Sequence, residues 1–206
     1  MLEALDLRCE RGERTLFDRL EFKLPRGALL RVAGANGSGK TSLLRILCGL
    51  ALPAGGAVRW HGESIRTLRE EYHRQLIYIG HLPAVKDELT GRENLAVSCA
   101  LGGTPADATV VGAALERMGL DGYADLPARH LSQGQRRRVA LARLAASGTT
   151  PLWILDEPFT ALDAAAVGCV QEIIAEHLER SGIVVFTSHQ EVMVASVTAY
   201  TIQLGG

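Results

Sequence analysis

The sequence has no run of about 18 uncharged apolar residues, so no segment is expected to cross a bilayer as a helix. Its first residues, Met1-Leu2-Glu3-Ala4-Leu5-Asp6, are acidic where a secretion signal needs positive charge, and no apolar core follows them. A cytoplasmic protein is expected, and any membrane substrate would need a path made by another chain. A basic surplus is lacking too: 22 Lys and Arg stand against 23 Asp and Glu, for a formal net charge of −1. Nothing there would neutralise a phosphate backbone, so nucleic acid is not an expected partner. The four cysteines, Cys9, Cys48, Cys99 and Cys169, include no Cys-x-x-Cys pair. In a reducing compartment they are expected as small buried hydrophobes. The six histidines show no pairing at metal-ligand spacing.

What is present is a chain of 206 residues, 47% apolar, long enough to bury a substantial core. Apolar and β-branched runs predict strands near 2–9, 20–24, 28–33, 57–60, 76–80, 152–156, 183–188 and 199–204. Helical patterns cover about 40–49, 92–101, 107–118, 133–147, 164–180 and 190–196. Residues 86–147 read as nearly all helix, punctuated by Gly102-Gly103, Pro105 and Pro127. That order predicts one mixed α/β domain over 1–206 with a helical lobe inserted, rather than two domains in series.

Gly34-Ala35-Asn36-Gly37-Ser38-Gly39-Lys40-Thr41 fits the G-x-x-x-x-G-K-[ST] pattern. It follows the apolar run Leu29-Leu30-Arg31-Val32-Ala33 and precedes the helical Ser42-Leu43-Leu44-Arg45-Ile46-Leu47. Glycines at 34, 37 and 39 let the backbone curl so that successive N–H groups face phosphate oxygens. The helix behind them adds its positive dipole end. Lys40 is expected to bridge the β- and γ-phosphates and Thr41 to bind Mg²⁺.

Pro151-Leu152-Trp153-Ile154-Leu155-Asp156-Glu157 is an apolar strand ending in two carboxylates. Behind a phosphate loop it is expected beside the loop strand, with Asp156 on Mg²⁺ and Glu157 orienting or deprotonating the attacking water. Leu131-Ser132-Gln133-Gly134-Gln135 begins a helix with Ser132 as its N-cap. This is a second phosphate-binding device, far along the chain from Lys40. One ATP does not need both, so each chain is expected to offer the second device to the nucleotide of another copy. His189, after the strand Gly182 to Ser188, is expected near the γ-phosphate.

Together these motifs resemble the nucleotide-binding subunit of ATP-binding-cassette (ABC) machines, over essentially the whole chain. The resemblance identifies residues 34–41 as Walker A, 131–135 as the signature and 152–157 as Walker B with its catalytic Glu157. It makes Ala161-Leu162-Asp163 the D-loop and His189 the switch histidine. It implies a P-loop core with an antiparallel β subdomain and a helical signature subdomain. It also implies a head-to-tail pair of chains with ATP and Mg²⁺ between them. Ser132, Gly134, Gln135 and Asp163 would then serve the partner's ATP, and Ser42 this chain's own.

Two positions depart from the usual cassette. His81 stands where most have Gln, in Ile77-Tyr78-Ile79-Gly80-His81, and is expected at the Mg²⁺ or the water. Arg11 falls where an aromatic usually stacks on adenine, and its guanidinium is expected to take that place. With Leu152 to Asp163, these departures resemble the ATP-binding subunit of bacterial cytochrome c maturation systems. That likeness implies docking on integral membrane subunits at the cytoplasmic face of the inner membrane, and an ATPase driving haem handling. With no Cys-Pro motif and no paired histidines, haem binding by this chain is not expected. The run Arg136-Arg137-Arg138 reads as a positive or simply solvated face. A soluble assembly or repair ATPase without a membrane partner is the rival reading.

Overall fold

The chain opens on a hairpin in which β1 (Leu2–Arg11) pairs antiparallel with β2 (Arg14–Leu24). β3 (Leu29–Gly34) runs through the glycine loop into α1 (Lys40–Leu47). β4 (Gly55–Trp60) and β5 (Glu63–Ser64) join the hairpin sheet, and the short α2 (Arg69–Arg74) leads to β6 (Leu76–Ile79). Three helices follow: α3 (Gly91–Leu101), α4 (Ala108–Arg117) and α5 (Gln133–Ala146). The remainder is β7 (Leu152–Leu155), α6 (Ala164–Glu179), β8 (Ile183–Thr187) and β9 (Ala199–Leu204). This computed structural model describes residues 1–148, 150–188 and 199–205. The expected helix 190–196 and His189 lie outside the described residues.

The strands make two sheets, β2-β1-β4-β5 and β6-β7-β8-β3-β9, the second parallel throughout. β7 is buried along its whole length, as a parallel strand covered on both faces must be. Its side chains alternate between two cores. Trp153 and Leu155 join the core under α3 to α6, whereas Leu152 and Ile154 join the one under α1 and the antiparallel sheet. β8 repeats the pattern, with Val184 and Phe186 on the helical side and Ile183 and Val185 on the other. Among the described residues, no helix is long and apolar enough to cross a membrane.

Several expectations change. The carboxylate strand β7 does not lie beside β3, because β8 stands between them. β7–α6–β8 is a short parallel crossover, and successive strands so linked pair with each other. β2 starts at Arg14 instead of near residue 20. It is an edge strand with mostly exposed side chains, and register shifts along β1, with Asp6 and Arg19 at positive φ, break the alternation. α2 and β5 are too short to show a period. Cys9, Cys48 and Cys99 are buried, but Cys169 is only half-buried, its thiol donating to the Arg117 carbonyl at 3.1 Å.

Candidate active site

The glycine loop owes its path to positions only glycine fills easily. Gly39, the N-cap of α1, has φ 102°, and a Cβ there would lie 3.1 Å from Leu16 Cβ and 3.3 Å from the Phe17 ring. Gly34 has φ 146°, and its Cβ would lie 2.5 Å from the Leu204 carbonyl oxygen. The loop is therefore wedged between the β1–β2 hairpin and β9. Lys40 folds back over it, its Nζ donating to the carbonyls of Gly34 at 2.8 Å and Ala35 at 3.2 Å.

Asp156 meets this loop from β7. Thr41 Oγ1 donates to Asp156 Oδ2 at 2.9 Å, and Thr187 Oγ1 donates to Asp156 Oδ1 at 2.7 Å. The Thr187 hydroxyl also accepts from the Glu157 N–H at 2.8 Å. Thr187 was not anticipated as a site residue. Its only trace in the sequence is a hydroxyl at the end of an apolar strand. Glu157 sits at φ 51°, a left-handed conformation that costs a non-glycine residue about 1–3 kcal/mol and needs surrounding bonds to persist. Burial first, and the Asp156 carboxylate second, push the Tyr78 phenol up to about 12 and raise the Cys48 thiol, so both stay protonated.

Asn36, Gly37, Gly39, Lys40, Thr41 and Ser42 wall a cavity of about 350 Å³, with Asp156 and Glu157 beside them. Arg11, at the tip of the first hairpin, and His81, just past β6, line the same cavity. Leu16 does too, offering an apolar surface next to Arg11. Gly34, Ala35 and Ser38 are not in its wall: the first two hold Lys40 and the third is buried. The paired hydroxyl and carboxylate oxygens of Thr41 and Asp156 are hard donors of the kind Mg²⁺ takes together with water and phosphate. Among the described residues, no three His, Cys, Asp or Glu side chains come together as an all-protein metal site.

Ser132, Gly134, Gln135 and Asp163 stand apart from this cavity. Ser132 caps α5, its Oγ accepting from the Gln135 N–H at 3.2 Å while Gln135 Oε1 accepts from the Ser132 N–H at 2.8 Å. A Cβ on Gly134 would lie 2.8 Å from the Ala161 carbonyl oxygen, so this glycine lets α5 approach the D-loop within the same chain. Asp163 caps α6 through the Ala166 N–H at 2.8 Å. The arginine run is neither a solvated nor a positive face. Arg136 pairs with Asp87 at 2.7 Å, and Arg138 donates to the carbonyls of Met118 and Gly119. Arg137 is 3% exposed and donates to four backbone carbonyls.

Known proteins resemble this chain. The sequence profile of the family described as ABC transporter matches residues 17–160. The chain is 55% identical over 203 residues to the cytochrome c biogenesis ATP-binding export protein CcmA of Nitrosospira multiformis, covering 98% of each. It is 52% identical to the protein of the same name from Nitrosomonas europaea, covering 99% of this chain and 95% of that one. Among solved structures, a putative ABC transporter ATP-binding protein from Pyrococcus furiosus matches with a TM-score of 0.82 at 25% identity, over 98% of this chain and 96% of the other. A cavity built from loop, lysine and strand-end carboxylates, together with these likenesses, places the chain in the ABC transporter family of ATPases, among the cytochrome c biogenesis ATP-binding export proteins.

Proposed function

We propose that this chain hydrolyses ATP to drive haem export or haem-chaperone release in cytochrome c biogenesis. It would work as one half of a nucleotide-sandwiching pair docked on integral membrane subunits of the CcmB, CcmC and CcmD type. The observation that carries the reading is the single cavity shared by Lys40, Thr41, Asp156 and Glu157. Residues 1–206 act in it as one nucleotide-binding domain, with 86–147 as the helical insert.

Phosphates entering the loop offer Lys40 better acceptors than the two carbonyls it now holds, and it turns to the β- and γ-oxygens. Backbone N–H groups from Gly37 to Ser42 and the start of α1 bind the rest of the negative charge. Thr41 and Asp156, with His81 close by, would hold Mg²⁺, whose bound form neutralises phosphate charge. Glu157 orients a water toward the γ-phosphorus and takes its proton as the bond to ADP breaks and phosphate departs. Arg11 and Leu16, which line the cavity, would take the adenine, and His189 is assigned to the γ-phosphate from the sequence alone.

Ser132, Gly134 and Gln135 make a phosphate-ready helix start outside the chain's own cavity, which supports their use on the partner's ATP, with Asp163 alongside. Leu82, 80% exposed, lines the groove between β6 and α3, and Leu101, 85% exposed, ends α3; these apolar side chains suit docking against membrane subunits. The pair would sit at the cytoplasmic face of the bacterial inner membrane, with no role for nucleic acid.

Tagged Glu157→Gln, purified from solubilised membranes with ATP and Mg²⁺, is expected as a dimer accompanied by integral cytochrome c maturation subunits. Other membrane proteins in their place would reject the haem pathway. A protein wholly in the soluble fraction would favour an assembly or repair ATPase, and a monomer at saturating ATP would reject the sandwich.

A further inference from the structure

Arg137 sits one turn inside α5, and its two terminal nitrogens reach two neighbouring strand ends at once. Nη1 donates to the carbonyls of Gly80 at 2.8 Å and His81 at 3.3 Å, just beyond β6. Nη2 donates to the carbonyls of Asp156 at 2.9 Å and Glu157 at 2.8 Å, just beyond β7. The β6–β7 ladder gives out at this level: Ile79 pairs Leu155, and the Asp156 N–H donates to the Ile79 carbonyl at 2.8 Å. Past that point the guanidinium replaces strand pairing.

A buried guanidinium is costly: burial pulls its pKa down, while the charges of Asp156 and Glu157 oppose that. Only a planar fork with several donors can serve four carbonyls in this way. The backbone of Glu157 is thus held on both sides of its Cα, its N–H on Thr187 and its carbonyl on Arg137. That matters because Glu157 stands at φ 51°, a conformation it would leave if released.

We infer that Arg137 is a positioning residue for hydrolysis: it fixes the strained Glu157 and the His81 peptide to α5, the helix whose N-cap is Ser132. The carboxylates of one site and the phosphate device at the head of α5 therefore move as one piece. The inference rests on Glu157 being the group that handles the attacking water.

The test is a double-substitution cycle of Arg137→Gln and Glu157→Gln, reading turnover and equilibrium ATP binding on the purified full chain. Arg137→Gln is expected to lower kcat about 100-fold, the scale of a misplaced reacting group, with ATP affinity within about threefold of the parent. Arg137→Lys, which keeps the charge but offers one nitrogen, is expected in between. If Arg137 acts through Glu157, adding Arg137→Gln to Glu157→Gln costs little more. Multiplying losses, parental turnover in both Arg137 variants, or a fall in ATP affinity matching the fall in kcat would overturn the inference. Should Arg137→Gln fail to fold, Arg137→Lys carries the same cycle. If Glu157→Gln alone leaves turnover intact, the assignment of Glu157 has failed instead, before Arg137 is judged.

Discussion

His177 has its ring stacked on Trp153, the centroids 3.6 Å apart and the planes 8° from parallel. A Cβ on Gly182 would lie 2.1 Å from its Nε2, so the ring rests directly on that glycine. Burial, helped by the charge of Arg180, lowers its pKa from 6.5 to about 4. Between these values an unfolded chain takes up a proton that the folded ring refuses. The contribution of His177 to stability is therefore complete above pH 6.5 and is lost as pH falls toward 4, by up to about 3 kcal/mol. Denaturant unfolding followed from pH 7.5 to 5 should show that slope, and His177→Leu should flatten it. The same residue scale holds what the sequence concealed. Arg137 lay inside a charged triplet, yet it shares a helical stripe with Leu141 and Leu144, both buried. The i, i+4 and i+7 spacing of Arg137, Leu141 and Leu144 is what sets the arginine side chain on the inward face of α5.

Among the elements, the glycine loop does most to define the site, and its tightest point is Gly39. Gly39→Ala would set a side chain against Leu16 and Phe17 at a φ that favours glycine. About 1–3 kcal/mol of strain is expected, seen as a lower melting temperature. Titration calorimetry should show weaker ATP binding, because the hairpin and the loop can no longer close on each other. The loop, its flanking β3 and α1, and the cap at Ser132 were legible because each couples a period to a terminating residue. The first half of β2 was not, since an exposed edge strand with bulges beside it carries no alternation. The placement of β8 between β7 and β3 could not be read from one strand at a time. It follows from which crossover is short enough to pair its own strands.

At the scale of the molecule, the parallel sheet is the common wall of both cores. Neither core can open without exposing the side chains of β7 and β8 on that face. Thermal unfolding without nucleotide is therefore expected as one calorimetric transition with matching van't Hoff and calorimetric enthalpies, and two resolved peaks would show separable halves. The order of strands in that wall also bears on how the protein comes into being. β3, which begins the phosphate loop, is flanked by β8 and β9, and Gly34 packs on Leu204. As the chain leaves the ribosome, the loop appears early but both neighbours of its strand appear late. A nascent chain would thus carry the whole phosphate motif, and the hairpin on one side of it, through most of its synthesis without the two strands that flank β3. Nucleotide binding would begin only when the closing strands dock.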